Sequence, residues 1–363
     1  MTALVTPPTA SSVGVGGAPV MRSLNYDRML LVWLPSLAVG AATIAAAVPA
    51  ATSAIILANL WLLGYHHVGA TFTRFIGDPQ LRADRRGLLT WLPVLVLALT
   101  VAAGVLIGQW LIATTYFYWQ FFHYTRQSWG IEEAFRRKAG GEAPTQLMKA
   151  AFWAVPVAGV VWRSSQGADR FLNLPIRLLP VPTVVGWAAL VVAAGVIAAW
   201  LATKPGLAGG AGPAFLTHVA IFGIGYVLMP EITVGWLVLN IWHNGQYVSF
   251  VWHTNNRSFG NAPDQVGAEP GVGRATAAMR WLSRSTRWPM YMAVSIVASG
   301  IAYFTLDLSL EAVGASVALV YMGINFHHYV VDGLIWKLRS PKLAANLGLP
   351  AESTAAAGPT PGV

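Results

Sequence analysis

The sequence predicts an all-α fold, a polytopic transmembrane helical bundle of about ten spans with both termini cytoplasmic. Three observations predict it. Hydrophobic residues make up 55% of the 363 residues and charged residues only 10%, whereas a soluble domain carries roughly 25% charged residues. Apolar runs long enough to cross a bilayer, about 20 residues each, recur from Met29 to Lys337. When those runs are threaded alternately through a membrane, all of the 23 Lys and Arg residues except Arg163, Arg170 and Arg177 fall on one side. That asymmetry is the positive-inside pattern.

The spans are expected, in order, near 28–49, 52–72, 88–107, 109–125, 145–163, 181–202, 213–230, 232–254, 288–306 and 310–337, with ends uncertain by about two to four residues. The fifth carries Lys149 and is interrupted by Pro156. Cytoplasmic cations follow or precede the spans at Arg22 and Arg28, at Arg74 to Arg86, at Arg126 to Lys149, at Lys204, at Arg257 to Arg287, and at Lys337 to Lys342. Residues 26–339 therefore form one membrane domain. Residues 1–25 and 340–363, rich in small residues and proline, are expected to be flexible tails. The loop at about 255–287 begins with Gly and Pro. It ends in a stretch mixing Met279, Trp281 and Leu282 with Arg280, Arg284 and Arg287, which suits a short interfacial helix or a plain connector.

Composition excludes several chemistries. Cysteine is absent, so disulfides, thiolate metal sites and Cys nucleophiles are ruled out. The net charge of +9 is accounted for by membrane topology, and a nucleic-acid partner is not expected. Arg22 is the first cation and follows the Thr/Ser/Val/Ala/Gly/Pro-rich start, the wrong order for a secretory signal peptide. There is no glycine-rich phosphate loop, no HExxH unit and no motif for a Ser/His/Asp hydrolase. Glu231, deep in an apolar region, falls at the outer turn between the seventh and eighth spans.

The informative residues are the eight histidines: His66, His67, His123, His218, His243, His253, His327 and His328. Every one lies within a predicted span, and most are at similar depth. At 1.5 Å per residue, His66 and His67 are roughly 10 to 12 Å from Arg74, His123 roughly 5 Å from Arg126, and His328 roughly 13 Å from Lys337. Three helices repeat one spacing: Tyr116-Gln120-His123-Gln127, Trp236-Asn240-His243-Tyr247 and Tyr321-Asn325-His328-Asp332. Steps of four, three and four place each set on one helical face. Asn59 and His66, seven apart, also share a face. Polar faces inside a membrane are costly and by default mark a site.

Imidazole ligands usually give their other N–H to a polar partner, so Gln120, Asn240, Asn325 and Asp332 are candidates to orient them. The expected metal ligands are His66, His67, His123, His243, His253, His327 and His328. Tyr116, Tyr247 and Tyr321 are candidate catalytic groups, as proton donors or oxygen-positioning groups, or else packing residues. Iron, copper or zinc suits such a donor set; non-haem iron is the expectation, with haem held by two facing histidines as the competitor. The His-Pro-Glu-Val-Tyr stretch of haem-copper oxidases is absent.

One stretch carries a family likeness. Phe122-His123-Tyr124-Thr125-Arg126-Gln127-Ser128-Trp129 resembles the Phe-His-Phe-Gly-x-x-Asp motif of the Brp/Blh β-carotene 15,15′-dioxygenases, and the run holding His243 and His253 is similar to that family's later histidine motif. The likeness covers about two spans and departs at Gln127-Ser128, where the family has an acidic residue. It implies a polytopic membrane enzyme that holds iron with histidines and cleaves a carotenoid with oxygen. Membrane desaturases and hydroxylases are a looser analogue, although their His-x-x-His-His boxes are missing.

Together these features predict a plasma-membrane oxidoreductase. Its site would lie in the cytoplasmic half of the bilayer, and a carotenoid, fatty acyl chain or other lipid would meet molecular oxygen there, with a possible electron donor. A proton or metal transporter using the same histidines is the alternative, and a scaffold whose polar faces only join helices is a third possibility.

Overall fold

The computed structural model describes residues 21–203, 205, 209–260, 271–312, 316–338 and 340–349. The described chain is all-helical apart from one small hairpin, in which Arg170–Phe171 pairs antiparallel with Leu174–Pro175. Helix α1 is Leu24–Ala47 and α2 covers 49–77. Next come α3 (Pro79–Asp84), α4 (Arg86–Leu106), α5 (Gln109–Lys138), α6 (Gln146–Ser165), α7 (Thr183–Ala202) and α8 (Ala211–Leu228). The last are α9 (Ile232–Phe259), α10 (Arg274–Leu282), α11 (Ser285–Ala312), α12 (Val317–Ile335) and α13 (Pro341–Asn346).

Nine of the ten stretches predicted to span each coincide largely with one of these helices, and the tenth, 310–337, takes in the end of α11 and all of α12. By length and composition, five are apolar enough to cross a membrane: α1, α4, α7, α8 and α11. In four of them only 11% to 28% of the apolar window is buried. Their side chains face outward, as lipid-facing helices require. The other long helices fall below that threshold for a physical reason: α2, α5, α9 and α12 turn polar residues inward, and α6 carries Lys149 and Arg163.

Helix α9 is the central post. It is buried almost without interruption from Ile232 to Asn255 and packs on α1, α2, α5 and α8. Its crossing with α8 is backbone to backbone: a Cβ added at Gly235 would lie 2.1 Å from the Gly225 carbonyl oxygen. Arg163 closes that joint, donating Nη2 to the carbonyls of Gly225 and Met229. Helix α12 lies against α4, α5 and α2, facing α9 across the interior.

The expected tails fall mostly outside the described residues. Their described parts are packed: Met21 is fully buried, its N–H donates to Asp27 Oδ2 at 3.0 Å, and α13 rests on α9. Of the loop at 255–287, residues 261–270 lie outside the description. Its second half forms α10, with Met279 and Leu282 against the core and Arg280 Nε donating to the Gly77 carbonyl at 3.1 Å. The tenth helix begins at Val317, later than expected, because α11 continues to Ala312.

Among the described residues three helices contain a π turn, at Met29–Trp33, Leu60–Gly64 and Ile224–Leu228. A π turn closes its hydrogen bond over five residues instead of four and so absorbs one extra residue. The one at Leu60–Gly64, where the Tyr65 N–H bonds the Leu60 carbonyl, sits immediately before the His66-His67 pair.

Candidate metal centre

Four helices bring histidines to one buried point. His67 comes from α2, His123 from α5, His243 from α9 and His328 from α12. Nitrogens of His67, His123 and His328 and a carboxylate oxygen of Asp332 all lie within 4.8 Å of one another. The His67 and His328 Nε2 atoms are 2.6 Å apart, and Asp332 Oδ2 is 3.2 Å from His328 Nε2 and 4.0 Å from His123 Nε2. His243 flanks this group, its ring centroid 4.7 Å from that of His67 and 4.9 Å from that of His123.

Each helix pairs its histidine with a hydrogen-bonding side chain four residues on: Thr71, Gln127, Tyr247 and Asp332. Residues four apart sit one turn apart on the same face, so the four partners form a second tier beneath the imidazoles. Tyr247 OH donates to Asp332 Oδ1 at 2.6 Å. A carboxylate only accepts, so the Thr71 hydroxyl, 2.7 Å away, donates to the Tyr247 oxygen. Thr71 Oγ1 is then free to accept from His328 Nδ1–H at 3.0 Å. This chain leaves the His328 Nε2 lone pair directed at the cluster and Asp332 Oδ2 available beside it. Trp336, one turn beyond Asp332, adds an N–H to Tyr247 OH at 3.1 Å. Gln127 Nε2 donates to the His243 carbonyl at 2.9 Å.

The donor set fits a metal ion. Buried polar atoms are nearly always partnered, yet His67 Nδ1, His123 Nε2 and both nitrogens of His243 are buried with no hydrogen bond among the described residues. Three imidazoles and a carboxylate converge with apolar packing around them. With metal–nitrogen bonds of about 2.1 Å, a tetrahedral ion holds two imidazole nitrogens about 3.4 Å apart. The His67 and His328 rings need part by less than an ångström. A porphyrin does not fit between nitrogens this close.

The other expected ligands are not brought here. Adjacent helical residues point about 100° apart, so only one of each histidine pair can face the cluster. His66 is buried elsewhere with Nε2 unpartnered, and His327 Nε2 bonds the Leu88 carbonyl at 2.7 Å. His253 follows His243 by ten residues, roughly 15 Å along the helix, and its Nδ1 lies 3.3 Å from Arg22 Nη1. His218 bonds Ser128 and the Phe152 carbonyl.

Among the described residues, no amide in the repeated motif is hydrogen-bonded to an imidazole. Asn325 bonds back to the Tyr321 carbonyl at 2.9 Å. Asn240 joins Asn59 at 2.8 Å to Tyr124 OH at 2.7 Å, and the Tyr124 ring lies 4.1 Å from that of His243. Gln120 lies buried beside Tyr329, whose ring stacks on His123 at 4.2 Å. Of the tyrosines, Tyr247 joins the centre, Tyr116 stacks on Tyr329, and Tyr321 packs with Tyr65 and Tyr303. Thr71, Tyr124, Tyr329 and Trp336 were not anticipated. Thr71 at four residues from His67, and Trp336 at four from Asp332, carry the signal that could have found them.

A cavity of about 330 Å³ opens beside the cluster, between α5 and α12. The buried His123, Tyr247 and Asp332 line it together with Trp119, Phe122, Phe250, Tyr329 and Trp336. No protein-family model matches the chain, and no curated protein or solved structure shows significant similarity to it.

Proposed function

We propose that the chain is an integral membrane, metal-dependent oxidoreductase, a histidine-ligated non-haem iron oxygenase acting on a lipophilic substrate. The observation that carries this reading is the contact between the aromatic cavity and two of the metal donors, His123 and Asp332. In the proposed arrangement all ten long helices span the plasma membrane with both termini cytoplasmic. The four site helices are the second, fourth, eighth and tenth, which alternation makes parallel. That matches the ordered tiers of histidines and their partners one turn on.

His67, His123, His328 and Asp332 would hold the ion, a donor set of neutral imidazoles and one carboxylate that suits iron. When bound, the ion would supply oxygen activation. His243 borders the cluster as a further imidazole donor. Tyr247 and Thr71 fix the Asp332 rotamer and the His328 tautomer. The aromatic walls exclude water and bind an apolar chain. Phe122, exposed at the outer edge of the cavity, would let substrate enter sideways from the bilayer. The likeness of residues 122–129 to the Brp/Blh enzymes supports oxygen chemistry on a lipid. Asp332 of α12 would supply the carboxylate that the stretch itself lacks at Gln127.

The test is metal analysis and optical spectroscopy of protein purified from iron-supplemented cells. Stoichiometric iron with no Soret band is expected. A Soret band would establish haem and overturn the non-haem reading. Protein that remains metal-free, with the fold intact, would leave transport or a scaffold role.

A further inference from the structure

The cavity beside the cluster has a charged rim. Arg126 lines it, three residues beyond His123 on α5, or roughly 4.5 Å along the helix axis. Arg126 is exposed and has no hydrogen-bond or ion-pair partner among the described residues. The cations further along α5 differ. Arg136 donates to the Glu142 carbonyl, Arg137 to the Leu338 carbonyl at 3.1 Å, and Lys138 to the Met21 carbonyl. These three are committed to the protein's own backbone, and Arg126 is not.

Its neighbours complete a graded pocket. Gly130 on α5 and Gly333 on α12 both line the cavity, and a Cβ added at either would meet nothing within 4 Å, so the slot between the helices stays open. Beyond the rim the wall is Trp119, Phe122, Phe250 and Trp336. An exposed cation about one helical turn from the metal donors, beside aromatic walls, suits an anionic head on an apolar chain. A volume of about 330 Å³ is at the small end for ligand pockets and favours one chain over two.

We infer that the substrate class is a single-chain anionic amphiphile, a fatty acid, whose carboxylate pairs with Arg126. The first carbons of its chain then face His123 and Asp332. For the reaction this rests on the oxygenase reading; for binding it does not. Oxidation would accordingly fall near the head of the chain and not at its middle.

The test uses the full chain in phosphatidylcholine nanodiscs, with equilibrium binding of radiolabelled palmitate and of hexadecanol. Wild type should prefer the acid by about two- to fivefold, the contribution of one exposed ion pair. R126Q should erase that preference while leaving hexadecanol binding unchanged, and R126K should keep part of it. Equal wild-type affinity for acid and alcohol overturns the inference, as does an R126Q protein that still prefers the acid. Repeating the measurement with phosphatidylglycerol in the discs separates the two anionic sources. If that lipid abolishes palmitate binding, Arg126 serves lipid phosphates and the fatty-acid assignment falls. Iron content is measured in parallel. Iron-free protein that still selects palmitate would sink the oxygenase reading and leave this one standing; iron-loaded protein with no selection would do the reverse.

Discussion

Tyr247→Phe removes one oxygen and almost no volume, so its effects come from hydrogen bonding alone. In the wild type that oxygen donates to Asp332 Oδ1 at 2.6 Å, accepts from Thr71 at 2.7 Å and accepts from Trp336 Nε1 at 3.1 Å. Without it Asp332 loses its shortest hydrogen bond and keeps the long 3.5 Å approach of Thr71. The Thr71 hydroxyl then loses its acceptor and can turn toward His328, undoing the tautomer that aims Nε2 at the cluster. Removing a partner that orients a metal ligand typically costs about 10- to 100-fold in affinity, or about 1.4 to 2.7 kcal/mol. The stranded indole N–H and Thr71 hydroxyl should lower stability by about 1 to 3 kcal/mol in addition. Chelator competition, read by metal content at a series of buffered metal concentrations, gives the affinity; the thermal midpoint gives the stability. Thr71→Val breaks the same chain at its other end. The double variant should therefore lose little more affinity than either single one. Metal binding at wild-type strength in Tyr247→Phe would refute the relay.

Other expectations follow from the same geometry. Asp332→Asn and His123→Ala should each abolish stoichiometric metal while the helical circular dichroism is retained, whereas His253→Ala and His327→Ala should keep full metal content; metal loss in the second pair would place the centre elsewhere. Gly235→Ala should be among the most damaging single changes, because its Cβ meets the Gly225 carbonyl at 2.1 Å and backbone must move at a cost of about 1 to 3 kcal/mol or more; an unchanged thermal midpoint would contradict the close crossing of α8 and α9. Glu132 lies on α5 beyond the stretch expected to span, and burial pushes its carboxyl up to about 7. Its folded pKa is above the unfolded one, so its contribution is fully present below the ordinary carboxylate range and is lost as pH rises through about 7. Wild type should lose more thermal stability than Glu132→Gln between pH 5.5 and pH 8, and parallel pH slopes for the two would refute the shift.

The long helices are legible because lipid imposes a length and a polarity that the sequence must display. Their differing roles are legible too: where hydropathy falls, at α2, α5, α9 and α12, the polar residues recur on one face. What periodicity cannot supply is distance between faces. It identifies His123, His243 and His328 as inward-facing and leaves open which neighbour each meets. Asn325 illustrates the limit, since it stands on the same face as His328 yet bonds its own helix. Thr71 illustrates the converse. An ordinary residue type in a helix, it becomes the link between an imidazole and a tyrosine only because α12 and α9 pack on either side of it.

The choice between His66 and His67 depends on the π turn at Leu60–Gly64. In an unbroken α-helix Asn59 shares its face with the residue seven places on, His66. With one residue absorbed by the wider turn, the shared face passes to His67, and Asn59 and His67 both reach α9. The winding of a single turn here selects between two identical side chains. Rewinding that turn as ordinary α-helix at unchanged length would rotate His66 inward, whereas deleting a single residue from 60–64 would restore an ordinary helix with His67 still facing the cluster. In a relative of this chain, a one-residue gap in that segment would accordingly mark an ordinary helix that presents the same histidine.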